Sequence, residues 1–478
     1  MFLPPKGLLL ALHSQFLRRE RLISLLCVLV AVKAGLPVIA VAGEKYTLDE
    51  PVTQTRVYHV SNRLEVSGWL ETAVGQGKAK ALPLKVNADH DYLERRLSGT
   101  GREAAALRSL RHYRRCSVKI EVDKRVTSLR LRDGRRQIVV QGNREGNILY
   151  SPLGPLSHGD LELLQMPGDS LPILVLLPHN PVVVGETWEP ESWAVQMLTG
   201  LDAVLKSKMS CELLSADDGV AHVNFRGSIE GAVVGAATEI EVSGSYLYDL
   251  KQRYIKRVEL TQKEKRSVGA VSPGMNLEAK VVQERKPAEN FGPLTDAVAK
   301  SIPLEPGESL MLLALETAWS VRLRHDRNWN MFHQTADTMV LRLLENGSLI
   351  AQCNASRIVP AAPGRHTPEA QFQDDIRKTL GGKLKSIVKA EQLKVKDARF
   401  LYRVTAVGES NGIPMQWIYY LCAGPSGRQV SFVFTVESKL TDRLGNRDLG
   451  IVSSLEFLSP NRKPTKAANR NKTGSGNQ

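Results

Sequence analysis

Much of the usual chemical vocabulary is missing from this chain of 478 residues. There is no His-Glu-x-x-His, no Walker A loop and no Gly-x-Gly-x-x-Gly, which removes the common metallopeptidase and nucleotide-binding signatures. Cysteine is scarce: there are five, and none forms a Cys-x-x-Cys pair, so zinc ribbons and thioredoxin-like redox sites are poor readings. Beyond residue 42 no long apolar run recurs, so no helical membrane span is expected after a leader is removed. No catalytic, cofactor-binding or metal-ligating residue is assigned, no cofactor is expected, and the chain reads as a non-enzyme.

What is present begins with residues 1–42, which follow the order of a secretory signal peptide. Arg18, Arg19 and Arg21 precede an apolar run over 22–32, and Ala40-Val41-Ala42 supplies the small residues that a signal peptidase reads. The run is about half of the roughly twenty residues that a membrane span requires. The expected product is exported: periplasmic, envelope-associated or extracellular. Retention of the leader as an anchor is the alternative.

The formal charge of +14 is unevenly spread. Residues 95–144 hold fifteen Lys and Arg against Glu103, Glu121, Asp123 and Asp133, and residues 460–478 hold five basic residues and no acid. Basicity is therefore local. For an exported chain it points to an envelope protein, an anionic polymer or a lipid as partner, and not to specific nucleic acid. A helix is predicted over 101–115, where alanine and leucine stand among arginines. On such a helix Arg108, Arg111 and Arg115 share a face, a candidate anion contact suited to phosphate or carboxylate groups. The alternative is a solvated amphipathic face.

Cys27 lies within the leader, leaving Cys116, Cys211, Cys353 and Cys422. In an oxidising compartment they are candidate disulfides, with domain logic favouring Cys116–Cys211 and Cys353–Cys422. The alternative is four buried thiols acting as small apolar side chains.

From about 46 to 284 the chain reads as short strands between Gly and Asp-Gly turns, in halves of about 46–150 and 205–284, and an economical arrangement is a curved antiparallel sheet. Ile240 and Val242 take one face there, Glu239 and Glu241 the other. A second helix is predicted over 192–201, and the apolar stretch 171–177 reads as core or as the wall of a cavity. Residues 285–308, with four prolines, read as a linker. In the last domain, 309–459, Asn346-Gly347 predicts a hairpin between 338–344 and 349–355. A helix over 368–380 has Phe372, Ile376 and Leu380 on one face, three strands follow, and a closing helix is expected over 448–455. Residues 460–478 read as a basic disordered tail.

That hairpin, the helix 368–380, the strand Met415-Gln416-Trp417-Ile418-Tyr419-Tyr420-Leu421 and the strand 430–437 together resemble the Mog/PsbP-like α/β/α sandwich. The resemblance covers about a third of the chain and implies interaction, because members of that fold are binding and assembly modules. The whole layout also resembles exported proteins of planctomycete-type bacteria, which implies no activity. The fold class expected is thus α+β: a β-rich curved antiparallel sheet region, then an antiparallel sheet covered by helices.

Trp188 and Trp193, beside the stretch 171–177, are candidate ligand-lining residues, with core packing as the alternative. His325, Asp326, His333 and Asp337 concentrate metal-type ligands, but nothing in their spacing makes them converge. Ser386 and Lys389 have Ser-x-x-Lys spacing without its companion elements. Three readings follow in order: a non-catalytic binding or scaffold protein of the cell envelope, a carrier sheltering a lipid or other apolar ligand, and an envelope-polymer hydrolase lacking a recognisable motif. A continuous apolar cavity near residues 171–177 separates the second from the first. A polar cleft with convergent carboxylates or histidines would mark the third. Ligand identity, oligomeric state and disulfide connectivity are not legible.

Overall fold

The computed structural model describes residues 43–52, 56–74, 78–99, 103–143, 146–395 and 397–459. The stretches read as a signal peptide and as a tail, and part of the predicted helix 101–115, lie outside them.

The first region is built on one antiparallel sheet of twelve strands. In chain order these are β1 (Val57–Val74), β2 (Lys78–Leu97), β3 (Arg108–Val122), β4 (Arg125–Arg130), β5 (Gln137–Asn143) and β6 (Gly146–Tyr150). After an insert come β7 (Thr187–Trp188), β8 (Ala203–Asp217), β9 (Val220–Val233), β10 (Ala236–Asp249), β11 (Tyr254–Arg266) and β12 (Gly274–Pro287). Their spatial order is β6-β5-β3-β2-β1-β12-β11-β10-β9-β8-β7, with β4 beside β3. The first strand pairs with the last along its length, from Tyr58–Pro287 to Glu71–Gly274, which joins the two halves into one surface.

Alternation fixes which face is covered. In β10, Ala236, Thr238, Ile240 and Val242 are buried while Glu239 and Glu241 are exposed. The insert, residues 151–186 and 189–202, packs on the buried face through α1 (His158–Leu164), a 3-10 turn over Pro172–Leu176 and α2 (Ser192–Thr199). Helix α2 touches both β6, at one edge of the sheet, and β8, beside the other edge. The sheet therefore curls around the insert. The stretch 171–177 is core: Leu171, Ile173 and Leu176 are fully buried.

The proline-containing segment after β12 packs on the outer face. It includes α3 (Asp296–Ser301) and α4 (Glu308–Met311), and Leu294 and Ile302 join Val57, Leu93, Leu110 and Val139 in a second core layer. Strand β3 is thus covered on both sides, by the insert and by this segment.

Three strands, β13 (Leu313–Glu316), β14 (Val321–His325) and the late β22 (Glu456–Phe457), form a small sheet. Beside it stands a seven-stranded antiparallel sheet of β15 (Trp329–Gln334), β16 (Thr338–Glu345), β17 (Ser348–Ile358), β18 (Leu384–Gln392), β19 (Phe400–Ser410), β20 (Ile413–Ala423) and β21 (Gln429–Glu437). Helix α5 (Glu369–Leu380) lays Phe372, Ile376 and Leu380 on one face against Trp417 and Tyr419. Helices α6 (Thr441–Leu444) and α7 (Arg447–Ser453) and the small sheet cover the other face, where Tyr420 packs. The hairpin β16–β17 turns through Asn346 and Gly347 at φ 48° and 74°, the positive pair that a type I′ turn requires. Gly347 meets Gly235 at the tip of the β9–β10 hairpin, where a Cβ on Gly235 would stand 2.6 Å from the Gly347 Cα.

The α+β expectation is corrected. Strands account for 54% of the described residues and helices for 16%, so large antiparallel sheets carry the architecture and the helices are short covers. The predicted helix over 101–115 is also corrected: a 3-10 turn at Ala104–Ala106 leads into strand β3. Among the described residues no helix is long and apolar enough to cross a membrane, which says nothing about a β-barrel.

Candidate functional site: an apolar cleft under the curved sheet

The covered face of the sheet changes character along its strands. Toward the start of β1 and the end of β12 it carries charge. Arg111 is fully buried and donates from Nε to Glu94 Oε1 at 2.8 Å, and from Nη1 and Nη2 to Asp169 Oδ2 and Oδ1 at 2.6 Å each. Arg285 grips Glu50 through both terminal nitrogens at 2.8 and 2.7 Å. Ser170 bridges Tyr92 and Glu94, and Gln283 donates to the Gly168 carbonyl at 2.7 Å. Burial pushes the Glu94 carboxyl up, but the Arg111 and Arg285 guanidiniums outweigh it and hold the group below the usual range. This network pins the insert at Gly168–Ser170 and the N-terminal segment at Glu50 onto the sheet.

That geometry corrects the anion-contact reading. Arg108 and Arg111 sit three apart on a strand, so they point to opposite faces. Arg108 is spent on the outer face, donating to the carbonyls of Ser98 at 2.8 Å and Pro303 at 2.6 Å. Of the three arginines Arg115 alone is exposed. The candidate disulfides are corrected too: Cys116, Cys211, Cys353 and Cys422 are all free and buried. Each serves as a small apolar side chain in a core layer.

At the other end the insert does not fill the curl. Between α1, α2 and the covered face lies a cleft of about 730 Å³. Its sheet wall is aliphatic: Val66 of β1, Leu84 and Val86 of β2, and Met275, Leu277 and Ala279 of β12. The insert supplies Leu164, Met166, Pro167, Met197, Leu198 and Leu201 opposite. Polar groups gather along β11, where Gln262, Glu264 and Arg266 take successive inward positions. Gln262 donates from Nε2 to Glu264 Oε2 at 3.4 Å, and Arg266 pairs with Glu264 Oε1. Glu162, on α1, also lines the cleft, and burial raises its carboxyl.

The two candidate tryptophans lie elsewhere. Trp188 donates from Nε1 to the Leu176 carbonyl at 2.9 Å and packs on the core. Trp193 bonds Glu191 and lines a separate, smaller cleft of about 210 Å³ with Leu174, Leu177 and Arg96. Residues 171–177 do not line the apolar cleft. A groove of about 760 Å³ on the solvent face of β8–β11, with Lys208, Arg226, Glu241 and Lys263, is open and polar.

The other sequence candidates do not converge. His325 is buried and stacks on His158 at 5.0 Å, whereas His333 and Asp337 are exposed. Asp160 caps its own helix with Ser157 and pairs with Arg132. Ser386 and Lys389 sit on strand β18. A Gly-x-Ser-x-Gly spacing occurs at 408–412. Ser410 ends β19 at a two-residue turn, Asn411 and Gly412 at φ 53° and 79°, so a strand follows where a nucleophile elbow requires a helix. Among the described residues no group of three or more His, Cys, Asp or Glu side chains is placed to hold a metal.

The cleft-lining polar residues were missed, although a signal was there. The inward parity of β11 runs Val258, Leu260, Gln262 and Glu264, so polar side chains take over an apolar face midway.

No family model matches the chain, and no curated protein matches it. Among solved structures it is similar to lipovitellin, studied for its lipid–protein interactions, at 9% identity and a TM-score of 0.29 over 50% of this chain. It spans 26% of the lipovitellin chain. It also matches the translocator domain of the autotransporter NalP from Neisseria meningitidis at 8% identity and a TM-score of 0.09, over 82% of this chain and 90% of that one. A loop-deletion variant of the Vibrio cholerae outer-membrane protein OmpT matches at 7% identity and 0.12, over 80% and 99%. Similarity at these TM-scores carries no argument about fold or function.

Proposed function

We propose that this protein is an exported, non-catalytic carrier that shelters an apolar ligand in the cleft between the curved sheet and its helical insert. The observation that carries this reading is the unfilled end of the covered face. The insert packs tightly over the charged end and leaves the aliphatic end with about 730 Å³ of space, inside the roughly 300–1,000 Å³ range of small-molecule sites. Each methylene taken from water into such a wall contributes about 0.8 kcal/mol, so a chain of ten carbons offers about 8 kcal/mol before ordering costs. The charged groups nearby serve structure: Asp169 holds Arg111 and Glu264 holds Arg266. Export rests on the leader sequence and a carried cargo on the cleft.

The test uses 1-N-phenylnaphthylamine, an apolar dye that brightens out of water. The full chain should bind it saturably with a blue shift. Leu277→Trp, which fills the cleft from a half-buried wall position, should cut dye affinity at least tenfold with little change in melting temperature. A folded wild-type chain that leaves the dye dark would return the molecule to the scaffold reading.

A further inference from the structure

The smaller cleft beside Trp193 contains an arginine that no acceptor serves. Strand parity turns Arg96 of β2 to the covered face with Tyr92 and Glu94, whereas Arg95 and Leu97 point to the outer layer. On that covered face Arg96 lines the cleft of about 210 Å³. Its side chain is 6% exposed, and its Nε and Nη1 are enclosed without a hydrogen-bond partner. Nη2 is not enclosed, and among the described residues no acceptor reaches it. Glu50 stands 3.8 Å from Nη1, beyond hydrogen-bond range, and its two oxygens already hold Arg285 at 2.8 and 2.7 Å. Burial strips water from the five donors of a guanidinium, and at Arg96 no protein acceptor replaces it.

The space beside Arg96 suits a ligand that brings the missing acceptor. Leu107, Leu174, Leu177 and Trp193 give it apolar walls. Four carboxylates also line it, and three have donors of their own: Asp49 holds Arg253, Glu50 holds Arg285, and Glu191 accepts from Trp193 Nε1. The fourth, Glu103, is exposed. Of the two basic side chains in the wall, His179 stands 3.5 Å from Glu191, which leaves Arg96 as the one without an acceptor. A planar guanidinium matches a carboxylate through two parallel N–H bonds. An ammonium brings donors only, so it would leave Arg96 as it is.

We infer that this smaller cleft is a second binding site, for a small organic acid whose apolar body lies against Trp193 and whose carboxylate is bound by Arg96. The site is separate from the carrier cleft and does not depend on the carrier reading. The experiment titrates the full-length protein by calorimetry at pH 7.5 with 4-phenylbutyrate and with its uncharged amide, 4-phenylbutyramide. The acid should bind at least tenfold more tightly than the amide, and Leu277→Trp, in the other cleft, should leave that affinity within twofold. Arg96→Gln should reduce the preference for the acid below threefold. Trp193→Ala, at a half-buried position, should weaken acid and amide alike at least fivefold. Failure of the acid to bind, or equal binding of acid and amide, would overturn the inference, as would an undiminished preference in a folded Arg96→Gln chain. Should that variant not fold, unchanged acid affinity in Trp193→Ala would overturn it alone. Each of these results leaves the carrier reading where it stands.

Discussion

Arg111 shows how far one residue's role depends on the element beneath it. As a strand residue it is fully buried between Glu94 and Asp169. Removing it leaves two carboxylates without their partner in the core, a change that costs about 3–5 kcal/mol. Arg111→Met should therefore lower stability by that amount in urea unfolding, and binding to anionic vesicles should not change. Parallel effects at Arg115, the exposed residue of the trio, would contradict this assignment. The cysteines give a second residue-scale test. Burial pushes the Cys211 thiol up to about 12 and the other three also upward. Native protein should resist alkylation at pH 8, and unfolding without reductant should expose Cys116, Cys211, Cys353 and Cys422 together. A mass showing two disulfides would refute the free-thiol assignment.

Histidines add a pH dependence with a defined sign. Burial holds His90 and His158 down to about 4, His158 with the added push of His325 stacked beside it. Both are neutral when folded and protonate near 6.5 when unfolded, so their contribution is present above about pH 6.5 and is lost as pH falls toward 4. Between pH 7 and 4.5 each should withdraw on the order of 2 kcal/mol. Urea midpoints at the two pH values check this, and a His90→Gln, His158→Gln double variant should flatten the slope. An equal slope in that variant would assign the loss to other groups.

Among elements, legibility followed whether one or both faces are covered. β10, with one face in water, keeps the alternation that its sequence announces. The hairpin at Asn346-Gly347 and the apolar face of α5 were equally legible, because a turn dipeptide and a four-residue repeat are local signals. The helix starts one residue later than read, because Pro368 is its cap. β3 was misread because it is buried on both faces, which erases the period-two pattern and leaves arginine, alanine and leucine to suggest a helix. Gly347 belongs to this scale as well. Its φ of 74° and its seat against Gly235 leave no room for a side chain. Gly347→Ala should cost about 1–3 kcal/mol, measured by thermal melting. No loss of stability would mean that the two hairpin tips do not meet.

At the scale of the whole molecule, the closure of β1 onto β12 was not legible, since it pairs residues more than two hundred positions apart. The cleft depends on that closure, because its wall draws on β1, β2, β11 and β12 at once. A sequence pattern announces an apolar face. It does not announce that the insert covers only part of it. The same closure makes the sheet a container with a charged end and an aliphatic one.

The most direct test of the carrier account is native mass spectrometry of the protein taken from its own exported fraction. The account predicts a mass above that of the bare chain, with the excess removed on denaturation and recovered as a lipid-like molecule with an acyl chain. A bare mass under gentle conditions, from protein that also leaves the dye dark, would contradict it.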